Sequence, residues 1–332
     1  MDYKTIAVLG AGSWGATVAQ HLSTLGHEVI VWHRNRGELD VMRNERRHPF
    51  LPQLEFDNRI RFIDDVTLFE SSDIVVFGVP SHGVRDVAAK MAGQIGDAVV
   101  VNLAKGIEND TLMRMSEVIG EVGRIGDKRI VTLTGPSHAE EVAEGVPTTV
   151  VAAGIDGATT ELVQKAFSSD TLRVYANVDI MGAELGGSVK NVIALAAGTC
   201  DGIGFGDNAK AALITRGIVE ITRLGVAMGA KVQTFSGLSG IGDLIATCLS
   251  RHSRNRAVGE QIGKGRKLEE ILSEMKMVAE GVRTAKSVHA LRERNGIEMP
   301  ICEATFAVLF EDVDPKEAVR NLMTRDLIYE HD

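Results

Sequence analysis

Reduction of a carbonyl needs a group that offsets the negative charge growing on oxygen and then delivers a proton, and a lysine ammonium can do both. Two lysines in this chain stand where that chemistry is feasible. Lys190 belongs to a stretch, residues 189–197, that is otherwise apolar on nearly every face, so its charge is either at the rim of a helix or in use. Lys105 follows the apolar run 99–103 and precedes Gly106, which suits a solvated turn as well as a site at a strand end. Two ammonium groups brought close disfavour each other's charge, making one of them the better acid–base group near neutral pH. A place for a phosphate-sized anion is visible in His252-Ser253-Arg254-Asn255-Arg256, where Ser253 reads as a helix N-cap. Backbone N–H groups and the Arg254 fork could converge there on a dianion. Asp243, after Gly240-Ile241-Gly242, offers a carboxylate for a substrate hydroxyl. Each has a plainer use: Ser253 as a cap alone, Arg254 in a surface ion pair, Asp243 as a cap of its own helix.

The hydride that would complete such a reduction has a candidate source at the other end of the chain. Gly10-Ala11-Gly12-Ser13-Trp14-Gly15 lies between the apolar run 6–9 and a helical segment, residues 16–25, with a second strand at 28–32. In that setting Gly10 permits the tight turn, Gly12 admits a pyrophosphate against the backbone, and Gly15 lets helix and strand pack closely. A carboxylate near the end of the second strand would select NAD, but the sequence there is His33-Arg34-Asn35-Arg36 and shows no acid. Two guanidinium groups and an imidazole could pair with a 2′-phosphate, so NADP is the expected preference, with NAD also accepted. A solvated basic turn is the alternative.

The elements that must position these groups divide the chain in two. Short β-branched runs at 6–9, 29–32, 74–79, 99–103, 130–134, 148–152 and 172–175 alternate with helical stretches, predicting a doubly wound parallel sheet of Rossmann type. Their near-continuous hydrophobicity fits a sheet covered on both faces. From about Ala183 the strand signal ends. Gly186-Gly187-Ser188 is expected to break and cap the chain before a long helix through Lys190, with further helices near 211–228, 256–263, 268–275 and 282–293, and a loop with a short helix in 234–253. The reading is an α/β protein with a dinucleotide domain at 1–185 and an all-helical substrate domain at 186–332.

Composition narrows the partners. A net charge of −9 over 332 residues argues against a general nucleic-acid binder. No run approaches the length of a membrane span, and the residues ahead of the first strand leave no room for a signal peptide, so a cytoplasmic location is expected. Cys200, Cys248 and Cys302 are widely spaced and read as buried thiols, and the nine histidines show no metal-ligand spacing; no metal is expected.

Read together, Gly10 to Gly15, Lys105-Gly106, Gly135-Pro136-Ser137-His138-Ala139, the run from Lys190-Asn191-Val192 to Gly206-Asp207-Asn208-Ala209-Lys210-Ala211-Ala212, Gly240-Ile241-Gly242-Asp243, Ser253-Arg254-Asn255 and Glu280-Gly281-Val282-Arg283 resemble the bacterial-type NAD(P)-dependent glycerol-3-phosphate dehydrogenases. The resemblance covers essentially the whole chain. It implies a second domain like that of 6-phosphogluconate dehydrogenase and reversible reduction of dihydroxyacetone phosphate to sn-glycerol 3-phosphate for glycerophospholipid synthesis. By the family pattern Lys190 is the proton donor and acceptor. Lys105, Gly135, Ser137, Lys190, Asp243, Ser253, Arg254 and Asn255 would hold substrate. Ser13, Trp14, His33, Arg34, Lys105, Ala139, Arg254, Val278 and Glu280 would join Gly10, Gly12 and Gly15 around the cofactor. A homodimer is compatible with this reading, and so is a neighbouring one, a two-domain hydroxyacid or ketopantoate-type reductase, which would not need the phosphate clamp.

Overall fold

The computed structural model describes residues 3–69, 71–275, 277–327 and 329–330. Its first half runs β1 (Thr5–Leu9), α1 (Ser13–Thr24), β2 (Glu28–Trp32), α2 (Arg36–Glu45), β3 (Arg47–His48), β4 (Leu51–Glu55), β5 (Arg61–Ile63), β6 (Ile74–Phe77), α3 (Val84–Lys90), β7 (Val99–Asn102), α4 (Met115–Gly123), β8 (Ile130–Thr134), α5 (Ala139–Ala143), β9 (Thr148–Gly154), α6 (Gly157–Phe167) and β10 (Leu172–Asn177). The remainder is helical among the described residues: α7 (Ile180–Ile203), α8 (Asp207–Ala227), α9 (Val232–Phe235), α10 (Asp243–Leu249), α11 (Arg254–Gly263), α12 (Leu268–Glu274), α13 (Glu280–Asn295), α14 (Pro300–Phe310) and α15 (Pro315–Met323). No described helix is long and apolar enough to cross a membrane.

Eight strands form one sheet in the order β10-β9-β8-β7-β6-β1-β2-β5. Along β1 the side chains of Ile6 and Val8 enter one apolar core, and those of Ala7 and Leu9 enter the core on the opposite face. This two-sided burial is why the strand reads as an unbroken apolar run. Order reverses between β1 and β6, so the glycine turn after β1 opens at the switch point, where a crevice forms beyond the strand ends. One pairing departs from the parallel pattern: β9 runs antiparallel to β8. The connection between them holds only the five-residue α5. The short β3–β4 hairpin and the edge strand β5 lie outside the expected strands, because two- to five-residue segments with charged ends carry no clear alternation.

The second half is organised around α7, which differs from expectation. Its N-cap is Asp179, whose side chain accepts from the Gly182 N–H at 3.0 Å, and the helix continues without a break through Gly186, Gly187 and the position of the expected domain boundary. Lys190 therefore lies in the middle of the helix and not at its start. The two glycines are there for lack of bulk: a Cβ on Gly186 would collide with the Ser239 carbonyl oxygen, and one on Gly187 would stand 2.6 Å from the Thr134 hydroxyl.

Glu184, one turn earlier, docks α7 onto the sheet. Its buried carboxylate accepts from Arg114 Nη1 at 2.7 Å, Ser116 Oγ at 2.6 Å, Ser116 N at 2.9 Å and Thr132 Oγ1 at 3.0 Å. Asn102 Nδ2 adds a longer bond at 3.3 Å, and its Oδ1 accepts from Ala104 N at 2.9 Å, shaping the turn that carries Lys105. A charge buried so completely is stable only with this full set of donors.

On the far side α11 packs against α7 backbone to backbone. A Cβ on Gly198 would collide with the Arg256 carbonyl, and one on Gly259 with the Leu195 carbonyl. Gly259→Ala should therefore push the helices apart, lowering unfolding free energy in urea by about 2 kcal/mol or more despite alanine's better helix propensity. Unchanged or increased stability would show that this contact is not tight.

Candidate active site

The glycine turn has the form that a pyrophosphate needs. Gly10 takes a left-handed φ of 97°, and a Cβ on Gly15 would collide with the Gly10 carbonyl, whereas above Gly12 nothing lies within 4 Å of an added Cβ. Gly12 is the N-cap of α1 and provides no side-chain cap, so the first-turn N–H groups face that open space. Residues present thus fit a dinucleotide. Two of the other expected cofactor residues come near α1. Ser13 Oγ lies 3.6 Å from Met277 Sδ, carrying the half-buried Val278 toward α1, and the Ala139 carbonyl accepts from Thr17 Oγ1 at 3.5 Å. Trp14 packs half-buried against the sheet core, and its indole N–H is buried without a partner among the described residues.

At the end of β2 the structure corrects the sequence reading. His33 Nδ1 accepts from Ala11 N at 3.1 Å, which leaves the ring proton on Nε2, where it is donated to Glu38 Oε2 at 3.0 Å. Both ring nitrogens are engaged, so His33 has no donor left for a 2′-phosphate, and an acid does stand at this point: Glu38, reaching back from the first turn of α2. Asn35 caps that helix and donates from Nδ2 to Glu38 Oε1 at 2.7 Å. Arg34 remains exposed, with no ion pair among the described residues. His48, from the unforeseen hairpin, completes the support by bonding the Ala11 carbonyl at 3.0 Å through Nε2. Burial lowers the His48 pKa, which keeps the ring neutral.

Beyond the ends of β7 and β8 the two lysines meet on one carboxylate. Lys105 Nζ donates to Asp243 Oδ2 at 2.8 Å and to the Gly135 carbonyl at 3.0 Å. Lys190 Nζ donates to Asp243 Oδ1 and, at 2.5 Å, to the Thr247 hydroxyl, which in turn donates to the Asp243 carbonyl at 2.7 Å. Lys190 is only 4% exposed and Asp243 1%. Burial pushes the Lys190 pKa down to about 7, with Lys105 adding to the effect and Asp243 opposing it. Burial would raise the Asp243 pKa, but the two ammonium groups outweigh it and the carboxyl is held below its usual range. Lys190 thus holds its proton only weakly near neutral pH, beside a carboxyl group kept ionised. Thr247 was missed in the sequence. Its signal is its position, four residues after Asp243 and hence on the same face of α10.

The residues expected to hold an anion stand at the start of α11. Ser253 caps α11, accepting from Arg256 N at 3.2 Å, while Arg254 is exposed and free of ion pairs among the described residues. Asn255 Oδ1 accepts from Gly281 N at 2.9 Å, and Glu280 Oε1 accepts from Ser81 N at 3.0 Å, with Ser81 Oγ bonding the second oxygen. These bonds tie the start of α13 to α11 on one side and to the sheet on the other. Ser137 Oγ turns onto the Gly135 carbonyl at 3.0 Å, and Gly135 itself has a left-handed φ of 125°. Among the described residues no group of three or more His, Cys, Asp or Glu side chains could hold a metal.

A dinucleotide turn at the switch point of a mostly parallel sheet, together with a buried lysine on a helical second half, defines a two-domain oxidoreductase of the dehydrogenase class. Residues 5–159 match the model of the NAD-dependent glycerol-3-phosphate dehydrogenase N-terminus, and residues 179–320 that of its C-terminus. The chain belongs to the NAD-dependent glycerol-3-phosphate dehydrogenase family. It is 51% identical over 331 residues to glycerol-3-phosphate dehydrogenase [NAD(P)+] 2 of Salinibacter ruber, covering 98% of this chain and 96% of the relative. It is 50% identical over 325 residues to a protein of the same activity name from Chlorobium phaeobacteroides, covering 97% of each. The crystal structure of a glycerol-3-phosphate dehydrogenase from Coxiella burnetii superposes with a TM-score of 0.92 at 35% identity, covering 97% of this chain and 99% of that one.

Replacing Asp243 by Asn removes the carboxylate that both lysines reach, so Lys190 loses the partner that keeps its amine charged and Lys105 is left without a counter-charge. The expected loss is about 3 kcal/mol in thermal unfolding, and Lys105→Met in the same chain should restore part of it. A variant as stable as the parent would mean that Asp243 does not clamp the lysines.

Proposed function

We propose that this chain reversibly reduces dihydroxyacetone phosphate to sn-glycerol 3-phosphate, a precursor of glycerophospholipids, with NADPH or NADH as reductant. The observation that carries the proposal is Lys190 Nζ, buried between Asp243 and Thr247 and next to Lys105, with the capped N-terminus of α11 alongside. The activity names of relatives at about half identity support the same substrate.

When bound, the nicotinamide supplies the hydride. In reduction the Lys190 ammonium stabilises charge growing on the ketone oxygen and gives it a proton; in oxidation the neutral amine takes that proton from the hydroxyl. Asp243 holds both lysines in place, and Thr247 fixes the direction of the Lys190 N–H bonds. Lys105 offers a second positive charge to substrate oxygens. Ser253, Arg254, Asn255 and the first-turn N–H groups of α11 take the phosphate, while Gly135 and Ser137 line the opposite wall. In this division residues 1–185 supply the dinucleotide half and 186–332 the proton donor and most of the anion clamp. A cytoplasmic location and a homodimer accompany the reading. The phosphate clamp favours it over a ketopantoate-type reductase, whose substrate carries no phosphate.

Oxidation of NADPH in the presence of dihydroxyacetone phosphate tests the substrate, and turnover of an unphosphorylated oxo acid in its place would favour the ketopantoate-type reading. Lys190→Met should lower kcat about 1000-fold with cofactor binding retained; a variant that turns over like the parent excludes Lys190 as proton carrier. Because reduction needs the protonated lysine, kcat for reduction should fall as pH rises through about 7, and kcat for oxidation should rise across the same range. Profiles that are flat from pH 6 to 8 would count against this assignment.

A further inference from the structure

Glu38 is a carboxylate at the cofactor end of β2 that the mechanism leaves without a task. It is joined to the glycine turn through a short relay, in which Ala11 N–H bonds His33 and His33 bonds Glu38. Its second oxygen accepts from Asn35, and the side chain remains 29% exposed. Each carboxylate oxygen has two acceptor directions, and the His33 and Asn35 bonds use one on each. Two remain for other donors, and the exposure of the side chain leaves them open to approach. Glu38 also occupies the first turn of α2, where the helix field and the Asn35 cap favour a negative charge. Next to it Arg34 presents an exposed guanidinium with no ion pair among the described residues.

The adenosine ribose of a dinucleotide held on this turn comes to the end of β2, where an acid accepts its hydroxyls and opposes a 2′-phosphate. We propose that Glu38 is that acid, delivered from helix α2 instead of from the strand end, and that the opposition of Glu38 and Arg34 sets the balance between NAD and NADP. Glu38 favours NAD by accepting from the ribose hydroxyls and repelling the 2′-phosphate. Arg34 favours NADP by pairing with that phosphate. A pocket with both residues accepts both cofactors, and removing either charge makes it selective. The proposal rests on the dinucleotide reading of the turn but not on the identity of the carbonyl substrate.

The test is direct binding to the full chain. Kd values for NADH and NADPH are measured by quenching of intrinsic tryptophan fluorescence, and displacement by 5′-AMP and by 2′,5′-ADP isolates the 2′-phosphate. Glu38→Gln should shift the NADH-to-NADPH ratio of Kd values at least about tenfold toward NADPH, as expected for loss of a charge-assisted bond together with removal of a like charge. Arg34→Ala should shift the same ratio in the opposite direction, and the two adenosine nucleotides should follow the same order. If Glu38 serves only to prop His33, Glu38→Gln would weaken both dinucleotides equally and leave the ratio unchanged, and the proposal is then wrong. Failure of the parent chain to bind either dinucleotide would remove it as well, together with the cofactor reading. Loss of turnover with dihydroxyacetone phosphate while both dinucleotides still bind would affect only the substrate.

Discussion

The buried carboxylate of Asp243 is the constraint on which the rest of the site depends. Far from water it is stable only while both Lys105 and Lys190 reach it, and those residues come from the end of β7 and the middle of α7. Sheet, central helix and α10 must therefore hold one relative position. The glycines of α7 let the Ser239–Gly240 backbone and Thr134 approach closely enough, and Glu184 binds the same helix to β7, β8 and the start of α4. A cavity-sized shift at any of these contacts would leave a charge buried and unpaired.

The same arrangement accounts for the behaviour of Lys190. A lysine on the surface keeps its proton well above neutral pH and is a poor donor. Burial at the centre of α7 weakens its hold on the proton, and Asp243 keeps that effect from going so far that the amine is always neutral. Packing and proton affinity are thus linked through one side chain. Ser253, Arg254 and Asn255 stand at the start of α11, so the close packing of α11 on α7 fixes where they lie relative to Lys190.

Much of this was legible because the physics is local. The apolar strands, the glycine turn, the Ser253 cap and the change from sheet to helix near Ala183 all arise from patterns a few residues long. Where sequence reading failed, the cause was distance. Gly186 and Gly187 read as a helix break because glycine is a poor helix former, yet they lie inside α7 because neighbours from β8 and the Ser239 turn leave no room for a Cβ. His33 read as a phosphate ligand, but its two nitrogens are taken by Ala11 and Glu38. The segment after β2 looked free of acids because the relevant one is returned to the strand end by a helical turn.

By itself the sequence determined the class of fold, the cofactor turn and the residue types able to carry hydride-linked proton transfer, since these depend on periodicity, capping and backbone freedom. Only the tertiary structure decided that Lys105, Lys190 and Asp243 form one cluster, that Thr247 and His48 support it and the cofactor turn, and that Glu38 is returned to His33 at the end of β2. Those outcomes depend on which groups are buried together, and burial is what changes a lysine's proton affinity and a carboxylate's need for partners.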